Sequence, residues 1–130
     1  MALEGALVDS TSEEGLYIGA DHTVDLTVYS NAGKTAIQDI TGWTIVLDIR
    51  KKDTAATALL SKTASISGSY NSSPGSNTQK ATFTLADTDL AASTFTGDEF
   101  TGRYSIWRTD DGSEQPLRYG DITITRTTRT

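Results

Sequence analysis

Apolar and polar residues alternate along several short stretches of the chain, most clearly at residues 42–53, GWTIVLDIRKKD. One parity of that stretch is apolar as far as residue 49: Trp43, Ile45, Leu47 and Ile49. The other parity is polar except at Val46, and a cluster of charged residues ends the run. A period of two indicates a β-strand with one buried face and one wetter face.

The same alternation recurs at the spacing expected of an all-β sandwich. It predicts strands at residues 15–19, 22–30, 43–51, 58–67, 80–86, 102–109 and 119–127. Within 58–67, Lys62 interrupts the parity, which indicates an edge strand. Asp87 is placed to cap a single helical turn around Leu90 and Ala91. The predicted fold class is therefore all-β, an antiparallel β-sandwich of about seven strands.

The chain of 130 residues is most simply one domain. Residues 1–14 are polar and acidic and show no period, so we predict an extended N-terminal arm before a domain at 15–130. The first residues lack the basic start of a secretory signal, and no apolar run approaches the roughly 18 residues of a membrane span. We therefore expect no membrane partner.

An immunoglobulin-like (Ig-like) sandwich often carries a tyrosine at the start of a late strand, with its ring in the core and its hydroxyl bonded to the preceding corner. Tyr104, in GRYSI, is the candidate for this role. Trp43 is the candidate core tryptophan, although it comes earlier in its strand than in antibody domains. Because the chain has no cysteine, packing rather than a disulfide must hold these positions.

The order of several segments resembles the small β-sandwich domains of tailed bacteriophages, in particular the N-terminal domain family of baseplate upper proteins and related single-domain virion proteins. The segments are DHTVDLTVYSNAG, DITGWTIVLDIRKKDTAATALL, ATFTLADTDL, GRYSIWRTDDG and YGDITI, which together cover about residues 15–127. The resemblance implies a virion building block, made in the bacterial cytoplasm, that docks to other virion proteins and to copies of itself. The sequence departs from the family by its acidic arm and by ending directly after the last strand.

The charge distribution also bears on possible partners. A net charge of −6 argues against nucleic acid, which requires a positive surface. Acids precede the first lysine or arginine, Lys34, and include Glu13 and Glu14, whereas Arg126 and Arg129 lie near the other end. These charges are either ordinary solubilising groups or complementary ends that meet between neighbouring copies.

Candidate catalytic chemistry is sparse. His22 is the only histidine, so any catalytic triad would depend on it, and a polar residue at a strand edge is the simpler interpretation. The acids Asp87, Asp89, Asp98 and Glu99 match no calcium-loop spacing. We therefore predict no enzyme activity, no cofactor and no metal.

Apolar residues of outward parity are more informative than the polar ones. If Tyr104 and Ile106 point inward, Trp107 points outward and is a natural interface anchor, unless the chain's own arm or a loop covers it. Tyr29, Val46 and Tyr119 also have outward parity. The sequence predicts an interface only if these residues share one face.

The sequence-based hypothesis is a non-enzymatic structural component of a tailed phage virion, a tail, baseplate or neck adaptor. The first alternative is a decoration protein on the capsid surface. An alternative from another class is a carbohydrate-binding module, in which Trp107 and Tyr119 stack on the sugar rings of a surface glycan.

Overall fold

The computed structural model describes residues 8–10, 16–52, 54–110 and 112–126. These residues form nine strands and no helix. The strands are β1 (Val8–Ser10), β2 (Leu16–Tyr17), β3 (His22–Val28), β4 (Ile45–Arg50), β5 (Leu60–Thr63), β6 (Ser65–Ser67), β7 (Lys80–Leu85), β8 (Glu99–Arg108) and β9 (Gln115–Thr125).

The strands form two sheets with Ig-like topology. The four-stranded sheet has the order β1-β3-β7-β6, and the five-stranded sheet has the order β2-β9-β8-β4-β5. All neighbours are antiparallel except β2 and β9, which are parallel. Lettered by chain order, β1-β3-β7-β6 is the A-B-E-D sheet and β4-β8-β9 is the C-F-G sheet of an Ig domain. The predicted all-β, Ig-like sandwich is confirmed, with nine strands among the described residues.

The single strand predicted at 58–67 is two strands in the structure. β5 ends at Thr63 and belongs to the five-stranded sheet, whereas β6 begins at Ser65 and belongs to the four-stranded sheet. The N–H of Ala64, between them, donates to the carbonyl of Ile45. The chain changes sheets at Ala64, but burial keeps its period of two across the change, since Leu60 is buried and Lys62, Ala64 and Ile66 are half-buried. Both pieces are edge strands, as Lys62 indicated.

The inner faces of the two sheets carry the apolar residues that alternation predicted. Buried side chains from the central strands are Leu26, Val28, Ile45, Leu47, Ile49, Ala81, Phe83, Leu85 and Ile106, and Val24 packs against them half-buried. Burial of apolar surface at roughly 25 cal/mol per Å² is the main stabilising contribution in such a core.

Part of the predicted N-terminal arm forms a strand. β1 pairs antiparallel with β3, with Val8 opposite Val28 and Ser10 opposite Leu26. The segment therefore covers an edge of the four-stranded sheet. Its backbone N–H and C=O groups form hydrogen bonds with β3, whose groups would otherwise bind water. The remaining residues of 1–14 lie outside the described part of the chain.

Residues 87–90 form a turn where a helical turn was predicted. The side chain that accepts a backbone hydrogen bond in this turn is Asp89, and not Asp87 as predicted. The Oδ2 atom of Asp89 accepts from the N–H of Ala86 at 2.8 Å and from Nζ of Lys62 at 2.9 Å. The N–H of Asp87 donates to Oδ1 of Asp21. The turn seats Leu90 in the core with no exposed surface.

The interactions of Asp89 predict a pH dependence of stability. Hydrogen bonds from Lys62 and from the Ala86 N–H lower the pKa of Asp89 below its usual value of 3.8. A lowered pKa contributes stability above the unfolded-state value, and that contribution is lost as the pH falls through the folded-state value. We expect Asp89→Asn to cost about 1 kcal/mol at pH 7, a small effect because Lys62 is partly exposed. The difference from wild type should shrink below about pH 4, as measured by urea unfolding. The control is Asp87→Asn, an exposed position; an Asp89→Asn difference independent of pH would contradict the assignment.

Tyr104 is anchored across neighbouring strands instead of to the preceding corner. Its hydroxyl accepts from Nε of Arg118 in β9 at 3.0 Å. Its ring lies over Gly120, where an added Cβ would come within 3.3 Å of the ring. The predicted contact of the ring with the core is observed, but the predicted hydrogen bond to the corner is replaced by one to Arg118.

Trp43 precedes β4 and is half-buried at the margin of the core. The guanidinium of Arg108 lies over its ring, 4.0 Å from the centroid. Arg108 also donates to Asp110 through Nε and Nη2, at 3.2 and 3.1 Å, and Asp110 accepts from the Thr44 N–H. Trp43 therefore helps to join the start of β4 to the end of β8, and it is less deeply buried than a core tryptophan.

Candidate binding face

The strand register brings three of the predicted outward apolar residues to the outer face of the five-stranded sheet. Val46 of β4 lies opposite Trp107 of β8, and Trp107 lies opposite Pro116 of β9. Two residues earlier in β8, Ser105 lies opposite Tyr119. Side chains of directly opposed residues are near neighbours on one face, so Val46, Trp107 and Tyr119 share a surface.

These residues line a groove of about 610 Å³, which we call the outer groove. Its lining consists of Val46, Asp48, Arg50, Arg103, Tyr104, Ser105, Trp107, Thr109, Pro116 and Tyr119. Trp107 is 39% exposed and Tyr119 is 58% exposed. No loop of the described chain covers either ring fully, and both remain accessible to a partner.

A β-bulge shapes the β9 side of the groove. Ile106 lies opposite Arg118 but Trp107 lies opposite Pro116, so Leu117 is an extra residue in β9. Leu117 is fully buried. The extra residue lets Pro116 and Tyr119 both line the groove, although their spacing of three would place them on opposite faces of a regular strand. Sequence parity did not predict this contribution from Pro116.

The end of the groove away from Trp107 is charged. Arg50 and Arg103 lie directly opposite each other in the register of β4 and β8. Each has a carboxylate partner: Arg50 with Asp48 at 3.4 Å, and Arg103 with Asp121 at 2.7 Å. The guanidinium of Arg50 also donates to the carbonyl of Ala55 at 2.7 Å. The groove thus combines an aromatic end with a charge-balanced polar end.

The outer face of the four-stranded sheet is different. Thr23 lies opposite Thr84 and Asp25 lies opposite Thr82, with Lys80 paired to Asp25 at 3.3 Å. Thr82 also donates to Asp25 through its hydroxyl. On β3 and β7, this face presents hydroxyl and charged groups to water and offers no apolar anchor.

Two other predicted interface residues, Tyr29 and Arg126, do not line the groove. Tyr29 follows β3, bridges to Ile37, and has Nζ of Lys34 at 6.0 Å from its ring centroid. Arg126 donates to the carbonyls of Gly97 and Asp98, at 2.9 and 2.8 Å, through Nε and its backbone N–H. Glu13, Glu14 and Arg129 lie outside the described residues, so contact between complementary ends stays a prediction.

His22 has a structural role in the described chain. Its Nε2 atom accepts the backbone N–H of Tyr17 at 3.0 Å, and the two rings stack at 6.0 Å between centroids. The nitrogen that would act as a base is therefore already used to hold β2. In residues 16–52, 54–110 and 112–126, no three histidine, cysteine or acidic side chains come together as a metal site would require.

No protein-family model and no curated protein sequence matches the chain. Among solved structures, the chain is similar to AggA, the major subunit of aggregative adherence fimbriae type I from Escherichia coli, with a TM-score of 0.36 and 12% sequence identity. That similarity covers 92% of this chain and 93% of the fimbrial subunit. Within the described residues, no helix has the length and apolar character needed to cross a membrane.

Proposed function

We propose that the protein is a non-enzymatic structural component of a tailed phage virion that works by attachment. The sequence segments that resemble phage baseplate sandwich domains lie in β-strands of this fold or lead directly into one. DITGWT leads into β4, GRY lies in β8, and YG lies in β9, where Gly120 gives room to the Tyr104 ring. These positions belong to three adjacent strands of the five-stranded sheet.

The observation that carries the proposal is the convergence of Val46, Trp107 and Tyr119 on one outer face. Isolated exposed apolar residues are ordinary, but a group of them with two aromatic rings supplies anchors for a protein interface. A rigid sheet that presents such anchors can bind without rearrangement. Many copies in one particle multiply modest contacts into lasting attachment.

Attachment to a neighbour should depend on these anchors. We expect the double substitution Trp107→Ala and Tyr119→Ala to reduce the occupancy of the protein on particles by at least roughly tenfold, because each truncated anchor typically costs more than about 1 kcal/mol. The measurement is quantitative mass spectrometry of purified particles complemented with each variant. The matched control is Tyr70→Ala, since Tyr70 is 42% exposed but lies in a loop outside the groove.

Unchanged thermal unfolding of the double variant would show that any lost occupancy reflects the surface and not misfolding. Full occupancy of a well-folded double variant would reject this face as the attachment surface. Equal losses in the double variant and in Tyr70→Ala would do the same, because the effect would then not be specific to the groove.

The proposed position in the virion is the tail, baseplate or neck, and decoration of the capsid is the competing position. Purified protein mixed with protein-free expanded capsids separates them. A decoration protein binds with a stoichiometry set by the shell lattice, whereas a tail component copurifies with tails and leaves capsids bare. β1 adds a further contact element, because the segment that pairs with β3 in its own chain can also add a strand to an edge of a neighbour.

A further inference from the structure

We infer that the outer groove is a saccharide-binding site that takes a neutral oligosaccharide. The inference goes beyond the proposed function, because it gives the outer face of the five-stranded sheet a ligand other than a virion protein. It goes further by naming the ligand chemistry that the groove itself suits. A surface glycan is the class of molecule that carries this chemistry.

The aromatic end of the groove supplies stacking surfaces. Trp107 and Tyr119 are both exposed, and they lie on adjacent strands, offset along the sheet because Tyr119 faces Ser105. Neighbouring strands are about 4.8 Å apart and alternate residues about 7 Å apart, so the two rings are near enough to contact one ligand. Each ring has an apolar body and a polar tip, which suits a sugar with apolar C–H faces and polar hydroxyl edges.

The polar end of the groove supplies both donors and acceptors. Guanidinium groups of Arg50 and Arg103 donate only, the carboxylate of Asp48 accepts only, and the hydroxyl of Ser105 does both. Sugar hydroxyls likewise donate and accept, so they can satisfy all of these groups at once. Ser105 is the small residue between Asp48 and Tyr119 in the register, and it leaves space above the sheet.

The charge balance favours a neutral ligand over an acidic one. Arg50 and Arg103 each have a carboxylate partner at 3.4 and 2.7 Å, so the polar end carries no net excess of positive charge. An acidic ligand would compete with Asp48 and Asp121 for the guanidinium groups. A phosphate-rich ligand is disfavoured further by the net charge of −6.

The dimensions of the groove agree with this class of ligand. Its volume of about 610 Å³ falls within the roughly 300–1,000 Å³ of small-molecule sites. From Trp107 to Arg103 the floor extends over five residues of β8, whose four intervals span about 14 Å. This length suits a short oligosaccharide whose rings contact the aromatic end and the polar end together.

The experiment is a titration of the ¹⁵N-labelled full chain with neutral oligosaccharides, followed by NMR. The panel comprises β-linked glucose, α-linked mannose and N-acetylglucosamine oligomers, with an oligogalacturonate as the acidic comparison. We expect at least one neutral oligomer to shift the Trp107 indole N–H and the Ser105 amide. Trp107→Ala should weaken that binding roughly tenfold or more. Tyr70→Ala, the matched exposed aromatic, should leave it unchanged.

Particle occupancy of the same variants separates this inference from the proposed function. Loss of saccharide binding in Trp107→Ala supports the inference, whether occupancy falls or not; unchanged occupancy would move the docking of virion neighbours to another face. Absence of binding by every neutral oligomer would overturn the inference at any occupancy, and reduced occupancy in that case would leave the proposed protein contact in place. Saccharide binding that Trp107→Ala does not weaken would also overturn it, since the site would lie outside the groove.

Discussion

Replacing Gly102 by alanine is expected to destabilise the fold by about 3 kcal/mol or more, at or above the upper end of typical overpacking costs. Gly102 is buried in the middle of β8, which has a strand on each side. A Cβ at this position would come within 2.5 Å of the Arg50 carbonyl oxygen and 2.8 Å of the Phe100 ring. The carbonyl belongs to the neighbouring strand β4 and cannot move without disturbing the β4–β8 ladder. Urea unfolding followed by tryptophan fluorescence measures the loss.

Gly75→Ala is the matched control for Gly102→Ala. No atom lies within 4 Å of the Cβ position at Gly75, which sits in an exposed loop. The change there should be neutral or slightly stabilising, because alanine restricts the unfolded chain more than glycine does. Equal stabilities for the two variants would show that β8 and β4 do not approach each other as closely as the structure has them.

Truncating Phe83 to alanine is expected to cost about 3–5 kcal/mol, which is a large part of the stability of a small domain. Phe83 is the central inward residue of β7 and is fully buried between the two sheets. Its removal forfeits the transfer free energy of the ring and leaves a cavity that rigid strands fill only in part. The measurement is again urea unfolding, with the midpoint and slope compared with those of the wild type.

Thr84→Ala provides the control on the same strand. Thr84 follows Phe83 but faces outward and is exposed, so its loss should cost about 1 kcal/mol at most. If burial alternates along β7 with a period of two, the loss in free energy of unfolding must be much larger at Phe83 than at Thr84. Similar costs at Phe83 and Thr84 would contradict the two-sheet core.

The inner faces of the sandwich could be predicted from the sequence because burial in a strand has a strict period. Ile45, Leu47 and Ile49 alternate with wetter residues, and all three are buried. The same local rule predicted Phe83 and Leu85 in β7. Such positions need no knowledge of the partner strand, since any sheet that packs on another must bury one parity.

The candidate site could be predicted only in part, because it depends on which strands become neighbours. Outward parity identified Val46, Trp107 and Tyr119 individually. Their convergence required the order β9-β8-β4, which joins segments far apart in the chain. Tyr29 has the same parity, but it directly follows β3, which is a strand of the other sheet.

Irregular local structure limited the remaining predictions. The bulge at Leu117 adds a residue to β9, and Pro116 beside it is compatible with a bulge, a strand start or an edge alike. The sheet change at Ala64 divides an otherwise continuous strand. The Tyr104 hydroxyl accepts a hydrogen bond from Arg118 on the adjacent strand β9, a partner that the residues around Tyr104 do not indicate. In each case a tertiary contact, absent from the local pattern, decides the geometry.

Side-chain oxidative footprinting of the free and attached protein tests whether the outer face of the five-stranded sheet is the attachment surface. The protein is oxidised briefly by hydroxyl radicals alone and on intact particles, and the modification of each aromatic residue is measured by mass spectrometry. We expect Trp107 and Tyr119 to become protected on attachment, while Tyr70 stays as reactive as in the free protein. Protection of Tyr70 or Tyr29, with Trp107 and Tyr119 unchanged, would contradict this expectation.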